Sequence, residues 1–278
     1  MKCPICNSSS CLKFTSHLNK KIFLCSNIKC EHLFEENFSS SLGVCDRGTD
    51  LSLAKLKADR DERIRKYDER NKSVFKAIFK KLALPNDCKI LDFGSGDGNL
   101  MYSLKTVFPD TKITCIEPHN CFSELLKEVS DNIVPSAEKL SEKFDLIVLN
   151  EVIEHLNDPL KEMRALSDAL NDNNAAIYIA TPLGKTHFDS FNTSAYDTDS
   201  HLHFFTRKSL DLCLIKSGMT SLDTNTIDDP LYSTICTNST KIRLKRWLIN
   251  YLEGNFLRLS KRYCRLPTQH ISGLCYKA

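Results

Sequence analysis

The chain has 278 residues, of which 41% are hydrophobic and 26% charged, as is usual for a globular protein with one α/β domain and additions. No apolar run approaches about 18 residues, so the sequence predicts no membrane span. The net charge of +3 is uneven: from residue 228 onward nine lysines and arginines face three acids, giving +6, and residues 1–227 carry −3.

The first feature along the chain is a group of cysteines within residues 1–38. The chain has thirteen cysteines and no secretory signal, which indicates thiols and metal in a reducing compartment, the cytoplasm. A C-x2-C pair followed by a second pair is the ligand pattern of a structural zinc ribbon. The expected zinc ligands are Cys3, Cys6, Cys25 and Cys30. The second pair has the unusual spacing C-x4-C, so His32 and Cys11 remain alternatives for the fourth ligand.

Residues 39–84 are predicted to form a linker and then a charged helix. Serines at 39–41 interrupt the ribbon pattern, and charges of both signs alternate from Asp59 to Lys72. An apolar stripe at helical spacing follows between Val74 and Leu82.

The most informative segment is 89–99, where a short apolar run leads into a glycine-rich turn and then a helix-like pattern. The turn has the spacing G-x-G-x-G, with its glycines at Gly94, Gly96 and Gly98. Dinucleotide-binding folds instead use G-x-G-x-x-G to admit a pyrophosphate. Asp92, just before the turn, would repel a pyrophosphate but suits a cationic group. Glu117 ends the next apolar run, where such folds place an acid on ribose hydroxyls.

This combination resembles the class I S-adenosylmethionine-dependent methyltransferases. The resemblance implies an α/β fold with a Rossmann-like sheet of seven strands over residues 85–278. It also implies that the turn wraps the methionine part of the cofactor, with Asp92 on the ammonium group and Glu117 on the ribose. The implied cofactor-binding residues are Asp92, Phe93, Gly94, Ser95, Gly96, Gly98, Glu117, Pro118 and Asn150.

Strand and helix patterns alternate after the turn, which predicts a parallel sheet. Strands are expected at 88–93, 112–117, 132–134, 145–150, 175–181, about 220–227 and 270–276. Helices are expected at 98–108, 120–130, 158–170 and 207–217, the last with Thr206 as N-cap and Gly218 as its stop.

The resemblance implies that the last strand is antiparallel and lies between its neighbours, after an insertion. Residues 228–266 are therefore expected to be a basic helical insertion. Its 241–265 region suits an anionic partner such as nucleic acid, lipid or a phosphorylated substrate, or forms a solvated helix face.

A second polar group follows the strand at 145–150. Glu151, Glu154 and His155 have the spacing i, i+3 and i+4, which predicts that all three share one helix face beside the substrate pocket. His201 and His203 come later, and the residue between them suggests that only one faces the pocket. We interpret His155, Glu151 and Glu154 as the catalytic residues.

The pattern E-x-x-E-H with a later histidine resembles the small-RNA 3′-end 2′-O-methyltransferases, and also the ubiquinone-pathway O-methyltransferases. Both resemblances imply a divalent cation, Mg²⁺ or Mn²⁺, that activates an acceptor hydroxyl. The implied second metal site consists of Glu151, Glu154, His155 and His203, with His201 as the alternative to His203. In the other interpretation His155 is a metal-free general base.

The sequence thus favours O-methylation of a small molecule, such as a sugar or a phenolic metabolite. An RNA methyltransferase acting on an rRNA base or a 2′-hydroxyl is the alternative, since zinc-ribbon rRNA guanine methyltransferases also open with C-P-x-C. The ribbon is only mildly basic, whereas strong RNA binders usually show a larger basic face. A non-catalytic cofactor-binding scaffold is the third hypothesis.

Overall fold

The structure is a computed structural model that describes residues 1–16, 19–37, 52–171, 174–184, 201–224 and 270–278. The predicted insertion at 228–266 and most of the predicted linker lie outside these residues. No helix in the described part of the chain is long and apolar enough to cross a membrane.

The described residues form ten strands and five α-helices. The strands are β1 (Ser10–Thr15), β2 (Lys21–Cys25), β3 (Leu33–Glu35), β4 (Lys89–Phe93), β5 (Lys112–Ile116), β6 (Asn132–Val134), β7 (Leu146–Asn150), β8 (Ala176–Pro182), β9 (His203–Phe204) and β10 (His270–Tyr276). The helices are α1 (Leu53–Leu82), α2 (Asn99–Val107), α3 (Ser123–Leu126), α4 (Pro159–Asp168) and α5 (Arg207–Lys216).

The main sheet has the strand order β10-β8-β7-β4-β5-β6. The five strands from β4 to β8 are parallel, as the alternation of strand and helix predicts, and β10 is antiparallel to β8. The register places His270 opposite Pro182, so β10 begins where β8 ends. All five parallel strands therefore end at one edge of the sheet, and β10 starts there.

Six strands, rather than the expected seven, belong to this sheet in the described residues. The predicted strand at about 220–227 is represented by two isolated antiparallel bridges to the last strand, made by Met219 and Asp223. A Cβ at Gly273 would lie 2.4 Å from the carbonyl oxygen of Asp223, so glycine permits this close approach. The last strand thus lies between β8 and this segment, as the resemblance implies.

The helix boundaries follow local chemistry. The charged and the apolar segments of the 52–82 region form the single helix α1, which begins after an N-cap at Ser52. Thr206 caps α5 with its side chain in a capping box, and Gly218 follows the C-cap with a φ of +79°. The predicted N-cap at Thr206 and the predicted helix stop at Gly218 are therefore both confirmed.

The predicted helix at 120–130 is much shorter in the structure. A 3-10 turn at Asn120–Phe122 and the four-residue α3 take its place. The Ser130 hydroxyl donates to the carbonyl of Leu126 at 2.7 Å, and the Ser130 amide uses the same acceptor at 2.9 Å. These bonds close the last turn, and the chain then leaves the helix for β6.

The two faces of the sheet bury separate apolar layers. One layer contains the apolar stripe of α1 together with residues of α2, including Phe75, Ile78 and Met101. The other contains residues of α4 and α5 and extends into the cysteine-rich N-terminal segment, where Ile5 and Phe34 are buried. The N-terminal segment therefore shares a core with the main domain.

The N-terminal strands form a second sheet in the order β1-β2-β3-β9. The predicted strand segments Phe23-Leu24 and Leu33-Phe34 fall in β2 and β3 and are confirmed. The fourth strand comes from the main domain: β9 pairs antiparallel with β3, placing Leu33 opposite Phe204. The ribbon and the main domain are thus joined by backbone hydrogen bonds.

Candidate active site

The glycine-rich turn connects β4 to α2 at the carboxyl edge of the sheet. Gly94, Gly96 and Gly98 have φ values of +81°, +52° and +75°, a region that glycine adopts without steric cost. A Cβ at Gly94 would lie 2.5 Å from a methyl group of Val152, whereas a Cβ at Gly96 would have no atom within 4 Å. The turn therefore packs against the Glu151–His155 segment on one side and leaves space for a ligand at Gly96.

Asp92 is buried at the end of β4 beneath this turn. Its Oδ2 atom has no hydrogen-bond partner among the described residues. The pKa of the Asp92 carboxyl is raised from 3.8 to about 7, mainly by burial and to a smaller extent by the charges of Glu117 and Asp97, while the Ser95 hydrogen bond acts in the opposite direction. A buried carboxyl with an unused acceptor atom fits a ligand that donates hydrogen bonds or carries positive charge.

Glu117, after β5, holds the turn in place. One carboxylate oxygen accepts from the Gly96 amide at 2.8 Å, and the other accepts from the His119 amide at 2.9 Å. Each carboxylate oxygen has two lone pairs, so both retain capacity for a further donor such as a ribose hydroxyl. Glu117 thus lies at the end of β5, as expected from the sequence, and it also stabilises the glycine-rich turn through the Gly96 amide.

The remaining predicted cofactor residues lie along the same edge. Phe93 and Ser95 are buried, Pro118 is exposed, and Asn150 is half-buried at the end of β7. The Ser95 hydroxyl donates to the Asp92 carbonyl at 2.8 Å.

A contact between α1 and the glycine-rich turn was not predicted from the sequence. Arg63 Nε donates to Asp97 Oδ2 at 2.7 Å, and Asp97 Oδ1 accepts from the backbone amide of Asn99 at 3.2 Å. The alternating charges of α1 are typical of an exposed helix and do not indicate such a contact. The only hint in the sequence is Asp97, an acid within the glycine-rich turn that could pair with a basic residue. This ion pair ties α1 over the turn.

The segment with Glu151, Glu154 and His155 does not form the helix predicted for it. Glu151 has a φ of +58°, and the next helical turn is a 3-10 turn at Ile153–His155 instead of an α-helix. The capped helix α4 begins only at Pro159, with Asp158 as its N-cap. The three predicted catalytic residues therefore do not share one helix face, and the positive φ marks local backbone strain at a non-glycine residue.

Glu151 and Glu154 consequently have different partners. Glu151 faces His270 at the start of β10, with 3.1 Å between Oε2 and Nε2. Glu154 is buried and accepts from the Thr181 hydroxyl at 2.8 Å. His270 and Thr181 were not anticipated, since both are brought to the site by strand register.

Glu154, His155 and His201 form a cluster whose nearest ligand-type atoms all lie within 4.8 Å of one another. The two imidazole rings meet edge to face with centroids 4.7 Å apart. Glu154 Oε1 is buried and accepts no hydrogen bond from the described residues, and it lies 3.9 Å from His155 Nε2. Burial, followed by the charge of Glu151, raises the pKa of Glu154 well above its usual range.

The structure places His201 in this cluster, and His203 elsewhere. His203 Nδ1 lies 3.1 Å from His32 Nε2, and His203 Nε2 lies 2.8 Å from the carbonyl oxygen of Leu156. Burial lowers the pKa of His203 to about 4. The prediction that one histidine of the pair faces the site agrees with this geometry, but the assignment of His203 to that role was wrong because the alternation along β9 turns His203 towards the ribbon.

The sulfur atoms of Cys3, Cys6, Cys25 and Cys30 all lie within 4.8 Å of one another. The two alternative ligands lie outside this cluster: Cys11 is exposed, and the ring of His32 contacts His203. The contact with Cys30 lowers the pKa of the Cys3 thiol to about 5, whereas burial raises that of Cys25 to about 12. Four thiols that converge within this distance are a donor set that could hold one metal ion in a closed site.

Three features define a class I, S-adenosylmethionine-dependent methyltransferase: the strand order, the glycine-rich turn after β4, and the acids at the ends of β4 and β5. A family model described as a methyltransferase domain matches residues 62–223, more than half of the chain. The chain belongs to this methyltransferase domain family.

Solved structures with the same fold include two plantazolicin methyltransferases. BamL, in complex with a triazolic desmethylPZN analog and SAH, is 18% identical with a TM-score of 0.52, covering 81% of this chain and 90% of that one. BpumL, in complex with SAH, is 16% identical with a TM-score of 0.50, covering 82% and 91%.

A third structure is the Haloferax volcanii complex between the Trm112 methyltransferase activator and a putative methyltransferase. It is 11% identical with a TM-score of 0.51 and covers 80% of this chain and 97% of that one. Identities this low show a shared fold. No curated protein sequence matches the chain.

Proposed function

We propose that this chain transfers the methyl group of S-adenosylmethionine to a hydroxyl oxygen of a small-molecule acceptor. The observation that carries the proposal is the convergence of Glu154, His155 and His201 beside the glycine-rich turn. The contact between Gly94 and Val152 puts the cluster and the turn next to each other. A methyl donor and a group that activates a hydroxyl would therefore meet at one edge of the sheet.

The residues around the turn fit the cofactor. When bound, S-adenosylmethionine supplies an electrophilic methyl group on a sulfonium. Asp92 would accept from the methionine ammonium through its unused Oδ2 atom, and Glu117 would accept from the ribose hydroxyls. The open space at Gly96 allows the ligand to approach the backbone.

His155 and His201 would prepare the acceptor. An imidazole at hydrogen-bond distance from a hydroxyl takes its proton as the oxygen attacks, and general bases of this kind contribute on the order of 10²–10⁴-fold in rate. Both rings are partly exposed, which leaves them accessible to a substrate. We assign His155 as the primary residue, because it follows the strand β7 on the side of the glycine-rich turn and its Nε2 atom lies 3.9 Å from Glu154 Oε1.

We also propose, as the metal-dependent form of this chemistry, that the cluster holds a divalent cation; the two imidazoles are then its ligands, and the cation instead of a histidine base activates the hydroxyl. A buried carboxylate oxygen without a hydrogen-bond partner in the described residues, within reach of two imidazoles, is a mixed N/O donor set that suits Mn²⁺ better than Mg²⁺. Such a cation would lower the pKa of a bound hydroxyl. Glu151 is engaged with His270 and would support the site from outside the donor set.

A small acceptor is favoured over RNA by the charge of the ribbon. Lys20 and Lys21 of the ribbon are neutralised by ion pairs with Glu35 and Glu36, at 2.9 and 3.1 Å. Fewer cations then remain for phosphate contacts. The BamL structure, which shares the fold, is described as a complex with a triazolic desmethylPZN analog.

The four N-terminal cysteines would hold one structural zinc. The proposal is supported by the distances of at most 4.8 Å among their sulfur atoms, and we assign these cysteines no role in chemistry. Because strand β9 completes the ribbon sheet, the zinc would also stabilise a strand next to the catalytic cluster.

The test is a methyl-transfer assay with labelled S-adenosylmethionine against metabolite and RNA fractions kept separate. We expect label in the metabolite fraction, loss of transfer after EDTA, and recovery with Mn²⁺ but not with Zn²⁺. Recovery of transfer with Zn²⁺ alone would show that EDTA acts by removing the ribbon zinc and not a catalytic cation. Transfer that resists EDTA would remove the cation and leave His155 as a metal-free base, and label confined to RNA would contradict the acceptor class.

A further inference from the structure

Leu202 links the ribbon to the catalytic segment through its backbone. Its carbonyl oxygen accepts from the Glu35 amide at 2.9 Å, extending the pairing between β3 and β9. Its amide donates to the carbonyl oxygen of Glu154 at 2.9 Å. One residue is therefore held by the ribbon on one side and by the 3-10 turn that carries His155 on the other, and the next residue towards the N-terminus is His201.

His32 and His203, both buried, form a second link between the ribbon and the catalytic segment. The donor and the acceptor of each hydrogen bond in this link can be assigned. A carbonyl oxygen only accepts, so His203 Nε2 carries the proton that it donates to Leu156 at 2.8 Å. The neutral ring then accepts at Nδ1, and His32 Nε2–H must be its donor at 3.1 Å. In this assignment the remaining nitrogen, His32 Nδ1, is unprotonated, and no described residue donates to it.

The same segment is attached to the cysteine cluster. The Thr206 hydroxyl donates to the carbonyl oxygen of Cys30 at 3.2 Å, two residues before His32. The rings of His32 and Phe205 pack with centroids 4.8 Å apart. The 201–206 segment is therefore fastened to the ribbon on both sides of His203.

We infer that the ribbon is a positioning element for the Glu154–His155–His201 cluster, and that His32 and His203 are the residues through which it acts. The inference rests on the proposed function, because the cluster is catalytic only in that proposal. The chain of donors runs from His32 through His203 to Leu156, directly after His155. Loss of the His32 donor would loosen both the Leu156 carbonyl and the segment before β9, which carries His201.

A matched pair of substitutions isolates the donor. His32→Gln and His32→Met have similar length and volume, but only glutamine retains an N–H near the position of Nε2. Lys13→Ala, at an exposed ribbon position, is the control for a change elsewhere in the ribbon. All variants are made in the full chain, and zinc content and SAH affinity are measured first to establish that the ribbon and the cofactor site are intact.

The first readout is hydrogen exchange at the Leu202 amide, which requires neither acceptor nor catalytic cation. His32→Met should speed exchange on the order of tenfold, while the Ile147 amide in the centre of the main sheet stays as in wild type. His32→Gln and Lys13→Ala should stay within about threefold of wild type. Equal Leu202 exchange in the Met variant and wild type would overturn the inference, and equal acceleration at Ile147 would show a general structural role instead.

The second readout is Mn²⁺ binding, followed by electron paramagnetic resonance. His32→Met should weaken it several-fold, because looser anchoring of Leu202 shifts the neighbouring ligand His201, and His32→Gln should restore it. Absence of Mn²⁺ binding in the wild type would remove the cation from the proposed function. The Leu202 exchange rates would then still decide the positioning inference.

A measurement on the wild type covers the case in which His32→Met does not fold. Long-range ¹⁵N–¹H spectra report which ring nitrogen carries the proton. Both His32 and His203 should be neutral and protonated at Nε2. A proton on Nδ1 of either ring would break the donor chain and overturn the inference.

Discussion

At the scale of single residues, Asp92 makes stability and ligand binding depend on pH. Its pKa is raised by burial to about 7 in the folded chain, so the folded state keeps a proton that the unfolded chain loses near pH 4. The free energy of unfolding should therefore fall as pH rises from about 4 to 7 and level off above that range. Asp92→Asn should flatten this dependence in thermal unfolding and raise the Tm above pH 7.

The same substitution should weaken the binding of S-adenosylhomocysteine. Asparagine has no charge for the ligand ammonium, and loss of a charge-assisted hydrogen bond costs on the order of 1.5–3 kcal/mol, about tenfold or more in Kd. Calorimetry at pH 8 measures this loss. A stabilised variant that still binds with wild-type affinity would show that Asp92 does not contact the ligand.

Glu117→Ala should also weaken S-adenosylhomocysteine binding at least about tenfold, because the ribose acceptor and the tie to the Gly96 amide are lost together. Glu124→Ala is the control, since Glu124 is exposed and pairs only with Lys127 in the described residues. Isothermal calorimetry distinguishes the two variants. Equal affinities would exclude Glu117 from the cofactor site.

The sequence identified most of the candidate site residues but not all of their contacts. The glycine-rich turn and its two acids were predictable because each acid lies at the end of an apolar strand pattern, and the carboxyl ends of neighbouring parallel strands meet at one edge of the sheet. Spacing was not enough to choose between His201 and His203, since the choice depends on which face of β9 meets the ribbon. The partners His270 and Arg63 come from distant elements, and no local pattern marks them.

At the scale of elements, adding a side chain to the glycine-rich turn should destabilise the fold more at Gly94 than at Gly96. Gly94→Ala adds a methyl group 2.5 Å from Val152 at a positive φ, whereas Gly96→Ala adds strain but no contact. We expect Gly96→Ala to cost about 1 kcal/mol and Gly94→Ala clearly more in free energy of unfolding. Urea denaturation measures both, and the reverse order would contradict the geometry of the turn.

The elements of the main sheet were predictable because buried parallel strands form short apolar runs between helical patterns. The strand boundaries differ from the predictions by at most one residue from β4 to β8. The helix expected through Glu151–His155 failed because a positive φ and the capped start of α4 replace it with a 3-10 turn. Such a connection is set by tertiary contacts and not by residue spacing.

At the scale of the whole molecule, the ribbon and the main domain share an apolar core that includes Cys3, Cys30 and Phe205. Metal binding should therefore stabilise the entire chain. Metal analysis should find one ribbon zinc per chain, and the double substitution Cys3→Ser with Cys6→Ser should release it and lower the Tm. Cys11→Ser, at an exposed position, should change neither quantity. Full zinc content in the double variant would refute the site.

The central claim is that His155 activates an acceptor beside a bound methyl donor. Its most direct test is labelled methyl transfer from S-adenosylmethionine into a metabolite extract by wild type and His155→Ala, with S-adenosylhomocysteine affinity measured on the same samples. The account predicts transfer by the wild type, a loss on the order of 10²-fold or more in the variant, and nearly unchanged affinity. Wild-type rates in the variant, or an absence of transfer by a wild type that binds S-adenosylhomocysteine, would contradict it.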